Sequence, residues 1–180
     1  MKAKFLPKEI DFDLSLKYFL NGIQRYESKN CHVNAYSIFY ELNYNEMDFS
    51  TSKFNIVTGL MAIEIKDSKY CVIHSWIEKD NMVIDVTNFA NSIFKFWPNI
   101  SKKDYDDIYT VSSKFKYFPY YHISNREFTK ICKKLRDISE IENYIVKIIK
   151  SIENDLSFIE TVKKEYGYIF KKEDFEMKLL

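Results

Sequence analysis

A cysteine at position 31, a histidine at 74 and an aspartate at 85 are the side chains of this sequence best suited to act together. A thiolate can attack a carbonyl carbon, an imidazole can take and return the proton, and a carboxylate can fix the imidazole tautomer. Cys31 stands where a polar stretch gives way to a helical pattern carried by Val33, Ala35, Ile38, Phe39 and Leu42. The free N–H groups and the dipole at a helix start favour an anion, so a thiol there ionises more readily. On position alone an inert core thiol is the commoner reading.

His74 lies in the strand-like run 70–77, and Asp85 lies in the run 82–87 between Ile84 and Val86. Aspartate is depleted from strands and is seldom buried unpaired, so Asp85 needs a partner. The polar stretch Lys79-Asp80-Asn81 joins the two runs as a hairpin. In an antiparallel pair the positions of facing residues have a constant sum. A two-residue turn at 79–80 makes His74 and Asp85 face each other directly. A turn at 80–81 makes them diagonal neighbours on one face. A three-residue loop would put them on opposite faces.

These residues must be held by a folded core, and the sequence supplies one. The chain has 180 residues, 46% of them hydrophobic and 17% aromatic, which fits one compact domain and argues against disorder. A formal charge of +1 and dispersed lysines leave no footprint for nucleic acid or an acidic membrane. No apolar run approaches the roughly 20 residues a membrane span needs. The three cysteines, at 31, 71 and 132, fit no zinc or redox spacing. With no secretory signal at the N-terminus, they are expected to be free thiols in a reducing cytoplasm, with no metal or organic cofactor.

Periodicity predicts a helix over 12–26 and a second from Asn30 or Cys31. Strands follow at 55–65, 69–78 and 82–87, with further strands expected at 108–111 and 117–123. Ser124 to Glu127 has the form of a capping box. Apolar residues at helical spacing then run from Phe128 to Ile152, and a last helix is expected over 158–170. The expected class is α+β: a core over 1–123 and a helical C-terminal extension over 124–180 packed on the same domain.

The segment His74-Ser75-Trp76-Ile77-Glu78, followed by Val83-Ile84-Asp85-Val86-Thr87, resembles the H-x-W-hydrophobic … hydrophobic-D-x-T signature of the transglutaminase-like, papain-fold superfamily. Asn30-Cys31-His32-Val33-Asn34-Ala35 looks like that superfamily's cysteine-bearing helix start. Val57-Thr58-Gly59 looks like its glycine-containing strand. The likeness covers roughly residues 24–90 and is closest to small bacterial and phage members. It implies a catalytic helix packed on a small antiparallel sheet and a thiol site at Cys31, His74 and Asp85. The implied chemistry is hydrolysis, deamidation or transfer at an amide, peptide or ester bond of a peptide or protein. The group also contains inactive members, so a papain-like module that only binds a peptide or protein is the alternative.

The resemblance also suggests where an oxyanion would be held. The backbone N–H of Cys31 is one donor. Gln24 is a second candidate, or else a surface helix residue. Asn30 is a third, or else a helix cap. Trp76 either walls the site or simply packs in the core. His32 is expected to point away from Cys31, Cys71 and Cys132 to be core thiols, and His122 to line a pocket or pack in a strand. The C-terminal helices could cover one side of a groove or bind a protein partner.

Overall fold

The computed structural model describes residues 5–22, 31–45, 54–65, 68–89, 101–134 and 138–172. The chain is an α+β protein of helices and a five-stranded, mostly antiparallel sheet. In chain order the elements are α1 (Phe12–Gly22), α2 (Cys31–Asn45), β1 (Phe54–Ile65), β2 (Ser68–Lys79), β3 (Met82–Ile84), α3 (Lys102–Ser112), β4 (Lys116–Ser124), α4 (Asn125–Lys134), α5 (Ile138–Asn154), α6 (Leu156–Tyr166) and β5 (Ile169–Phe170).

The strand order is β3-β2-β1-β4, and β5 pairs with β2 in parallel at Tyr70 and Cys71. The segment 8–11 bonds to both edges: Lys8 exchanges backbone hydrogen bonds with Tyr117 of β4, while Glu9 and Asp11 bond to Val83 of β3. The sheet therefore curls until its edges are joined through these residues. Inside the curl lie Val57, Met61, Ile63, Trp76, Val83, Phe115 and Tyr117. The outer face, with Ile56, Leu60, Cys71, Ile77 and Phe118, packs against helical residues such as Phe19, Phe39, Phe128, Ile152 and Phe158. Both faces are buried, which explains why β1 reads as a nearly continuous apolar run rather than an alternating one. Each fully buried large side chain contributes about 1.5–3 kcal/mol.

The β2–β3 turn is Asp80-Asn81, with φ of 49° and 70°. Two consecutive left-handed residues make the turn that matches strand twist, and Asp and Asn tolerate that conformation. The register pairs Lys79 with Met82 and Ile77 with Ile84, so the diagonal arrangement of His74 and Asp85 is the one realised. β1 and β4 slip in register between Thr58 and Gly59. A Cβ on Gly59 would meet the Phe118 carbonyl oxygen at 2.1 Å and Trp76 at 2.9 Å, so only glycine allows this close approach.

Three expectations need correction. The strand expected at 108–111 is part of helix α3: Ile108 is buried, and Tyr105 and Tyr109 meet Phe12 edge-on. A window of four residues did not separate period two from period 3.6. β3 stops at Ile84, so Asp85 lies just beyond the strand. The first helix is described only to Gly22, since residues 23–30 lie outside the described residues. The last helix ends at Tyr166 because Gly167, at φ 79°, caps it in the left-handed conformation. The chain then turns into β5 instead of continuing as helix. The capping box is present: the Glu127 N–H donates to Ser124 Oγ, and the Ser124 N–H donates to Glu127 Oε2. Among the described residues, no helix is long and apolar enough to cross a membrane.

Candidate active site

The outer edge of β2 is paired with β3 over 77–79 and with β5 at 70–71, and His74 stands between those two pairings. Gly59 is its partner on β1. The ring of His74 thus lies beside a backbone without a side chain, with Trp76 and Tyr117 ring centroids 6.3 Å away.

His74 Nε2 lies 2.6 Å from Asp85 Oδ2, and both side chains are almost wholly buried. A carboxylate can only accept, so Nε2 carries the proton and Nδ1 is the nitrogen left for another partner. Asp85 is held from every side. Its Oδ2 also accepts from Asn88 Nδ2 at 2.8 Å and from the Tyr117 hydroxyl at 2.9 Å, and its Oδ1 accepts from the Thr87 N–H at 3.0 Å. Its own backbone N–H donates to Ser15 Oγ of α1 at 3.1 Å. Four donors converge on one buried carboxylate and replace its water.

Cys31 is the first described residue of α2 and is half-buried. Its thiol is in hydrogen-bonding contact with both His74 and His32. Burial alone would push the thiol up, but the positive charge of His74 and then the neighbouring His32 ring outweigh it, and Cys31 is held far below the ordinary thiol range. Burial likewise opposes the charge on His74, yet Asp85 and the Cys31 thiolate hold its imidazole well above the ordinary range. The resting pair is a thiolate and an imidazolium. Cys71 shows the contrast: burial without a partner pushes that thiol up to about 12.

His32 corrects an expectation. Its Nδ1 lies 2.6 Å from Ser75 Oγ, which is 2.7 Å from Thr58 Oγ1. Helical spacing alone turns His32 away from Cys31, but this hydroxyl pair on the sheet draws the ring back toward the thiol. Asn34 ties the same helix to the Asp85 loop through a 3.0 Å bond from Nδ2 to Thr87 Oγ1.

Trp76 is buried in the inner core, stacks near-parallel to His74 and meets Tyr117 edge-on at 5.2 Å. Its Nε1–H donates to Glu78 Oε1 at 3.1 Å. Glu78 also pairs with Lys8 at 2.6 Å and lies 3.5 Å from half-exposed His122. Gln24, Asn30 and the side chain of Cys132 lie outside the described residues. Among the described residues no group of His, Cys, Asp and Glu side chains is arranged to hold a metal.

Sequence reasoning missed Ser15, Thr58, Ser75, Asn88 and Tyr117. Each is a polar side chain buried in an apolar stretch. That mismatch is the signal that could have found them, although their partners lie far away in sequence. No protein-family model, curated protein or solved structure matches the chain.

Proposed function

We propose that the protein is a thiol-dependent hydrolase or acyltransferase acting on an amide, peptide or ester bond of a peptide or protein. In this reading α2 on the curled sheet is a papain/transglutaminase-like core. The observation that carries it is the buried 2.6 Å His74–Asp85 pair acting on Cys31, with the thiol held low and the imidazole held high. Perturbed groups of this kind in mutual contact mark sites of chemistry.

The Cys31 thiolate attacks the carbonyl carbon, a C–S bond forms, and the carbonyl π pair moves to oxygen. The N–H of Cys31, at the described start of α2, is the donor this reading assigns to the developing charge. As the tetrahedral species collapses, the imidazolium of His74 gives its Nδ1 proton to the departing amine or alcohol. A thioester and a neutral imidazole remain. His74 then removes a proton from water or an acceptor amine, which attacks the thioester and releases Cys31. Asp85 keeps the ring in the required tautomer throughout.

Trapping the thioester tests this. The protein is mixed with an activated peptide ester, quenched in acid and analysed by intact and peptide mass spectrometry. One acyl group on Cys31 that hydroxylamine removes is the expected result, absent in Cys31→Ser and strongly reduced in His74→Ala. Acylation at surface lysines alone would contradict the proposal.

A further inference from the structure

We propose that His32 is a second catalytic imidazole, whose Nε2–H donates to the Cys31 thiolate at rest and to the substrate oxyanion once the sulfur has attacked. This deepens the reading of the site given above and rests on it.

The two histidines of the site are built differently. His74 is backed by a carboxylate at 2.6 Å, which suits it to hold and move a proton. His32 is backed by a hydroxyl at the same distance, which is itself backed by a second hydroxyl. Thr58 and Ser75 are almost wholly buried, so water does not compete for this chain. The proposed role takes the ordering in which the Thr58 hydroxyl donates to Ser75 Oγ, the Ser75 hydroxyl donates to His32 Nδ1, and His32 Nε2 carries the remaining proton. That N–H is the one left to reach the sulfur, with which the ring is in contact.

Geometry extends the role to the transition state. When sulfur bonds to a carbonyl carbon, the oxygen is two bonds from sulfur, so a donor aimed at the thiolate lies within reach of the new oxyanion. The ring is oriented before reaction by two buried hydroxyls, which is the preorganisation that makes such donors effective. With the Cys31 N–H it forms a two-donor hole from residues 31 and 32 alone.

Two reagents separate this role from simple support of the thiolate. With p-nitrophenyl acetate, sulfur adds to the carbonyl, an oxyanion forms, and p-nitrophenolate departs as the C–O bond breaks, leaving an acetyl thioester. With iodoacetamide, sulfur displaces iodide directly and no oxyanion forms. Both rates are followed across pH, and the plateau values, where the thiolate is fully formed, are compared. In His32→Ala the acylation plateau falls about 10²-fold while the alkylation plateau changes less than about threefold. His32→Gln, which keeps an N–H donor, recovers part of the loss. Ser75→Ala keeps His32 but frees its tautomer and orientation, and lowers acylation in the same selective way. Ser75→Ala decides the matter should His32→Ala fold poorly. Equal falls with both reagents, or no change with either, would overturn the role of His32. If wild-type Cys31 is alkylated rapidly but never acylated, the acyl-transfer reading itself fails, and this inference with it.

Discussion

Replacing Asp85 separates its structural role from its chemical one. Its carboxylate accepts from His74, Asn88, Tyr117 and the Thr87 N–H, with about 1% of the side chain exposed. Asp85→Ala leaves these buried donors without that acceptor. Asn88 and Tyr117 keep their mutual 2.7 Å bond, and His74 sheds its charge, so the full penalty does not fall on every donor. One or two stranded groups at roughly 1–3 kcal/mol each give a loss of about 1–6 kcal/mol. Asp85→Asn is milder. Its amide oxygen can take the Oδ2 position and serve three donors, while its NH2 then meets the Thr87 N–H, one clash worth about 1–3 kcal/mol. Urea unfolding of both variants measures the stability, and iodoacetamide labelling at pH 6 measures the thiol. The order of stability is expected to be wild type, Asn, Ala, and labelling of Cys31 should slow in both variants because the imidazolium loses its counter-charge. Asp85→Ala as stable as wild type would refute the four-donor account. A destabilised Asp85→Asn that labels at the wild-type rate would refute the coupling from Asp85 through His74 to Cys31.

Gly59→Ala should cost about 3 kcal/mol or more in urea unfolding, because the Phe118 carbonyl is backbone and cannot swing aside from the added methyl. A loss under about 1 kcal/mol would mean the bulge relaxes freely. Glu78 has its carboxyl held below the ordinary range: burial opposes this, but donors from His122, Lys8 and Trp76 outweigh burial. A carboxylate whose folded value is depressed gives stability above its unfolded pKa, and that stability is lost as pH falls through the folded value. Glu78→Gln should therefore unfold more easily than wild type at pH 7, with the gap closing below about pH 4. A gap that stays constant or widens in acid, measured by thermal melts, would contradict that assignment.

The parts of the site legible in the sequence were those with short-range rules. Cys31 lies on the helix that the apolar periodicity implied, and the parity of a two-residue turn put His74 and Asp85 on one face. An aspartate between Ile84 and Val86 implied a buried partner by its residue type alone. The rest depended on distance. Tyr117 reaches Asp85 only because the sheet curls and residues 8–11 join its edges. His32 turns to the thiol because Ser75, 43 positions away, holds its other nitrogen. The run Ile108-Tyr109-Thr110-Val111 carries β-forming side chains, yet packing of α3 on Phe12 overrides that propensity. Pairing of Ile169 and Phe170 with β2 likewise follows from where α6 delivers the chain.

The central claim is that Cys31 and His74 form a thiolate–imidazolium pair supported by Asp85. Its most direct test is the pH dependence of Cys31 alkylation by iodoacetamide, read residue by residue by mass spectrometry in wild type and in His74→Ala. An ordinary thiol gains reactivity only as pH approaches about 8.5. Wild-type Cys31 should already react at its plateau rate well below that pH, ahead of Cys71, which burial keeps protonated. In His74→Ala the rise should move toward the ordinary thiol range. A wild-type profile that rises only near pH 8.5, or one that His74→Ala leaves in place, would contradict the account.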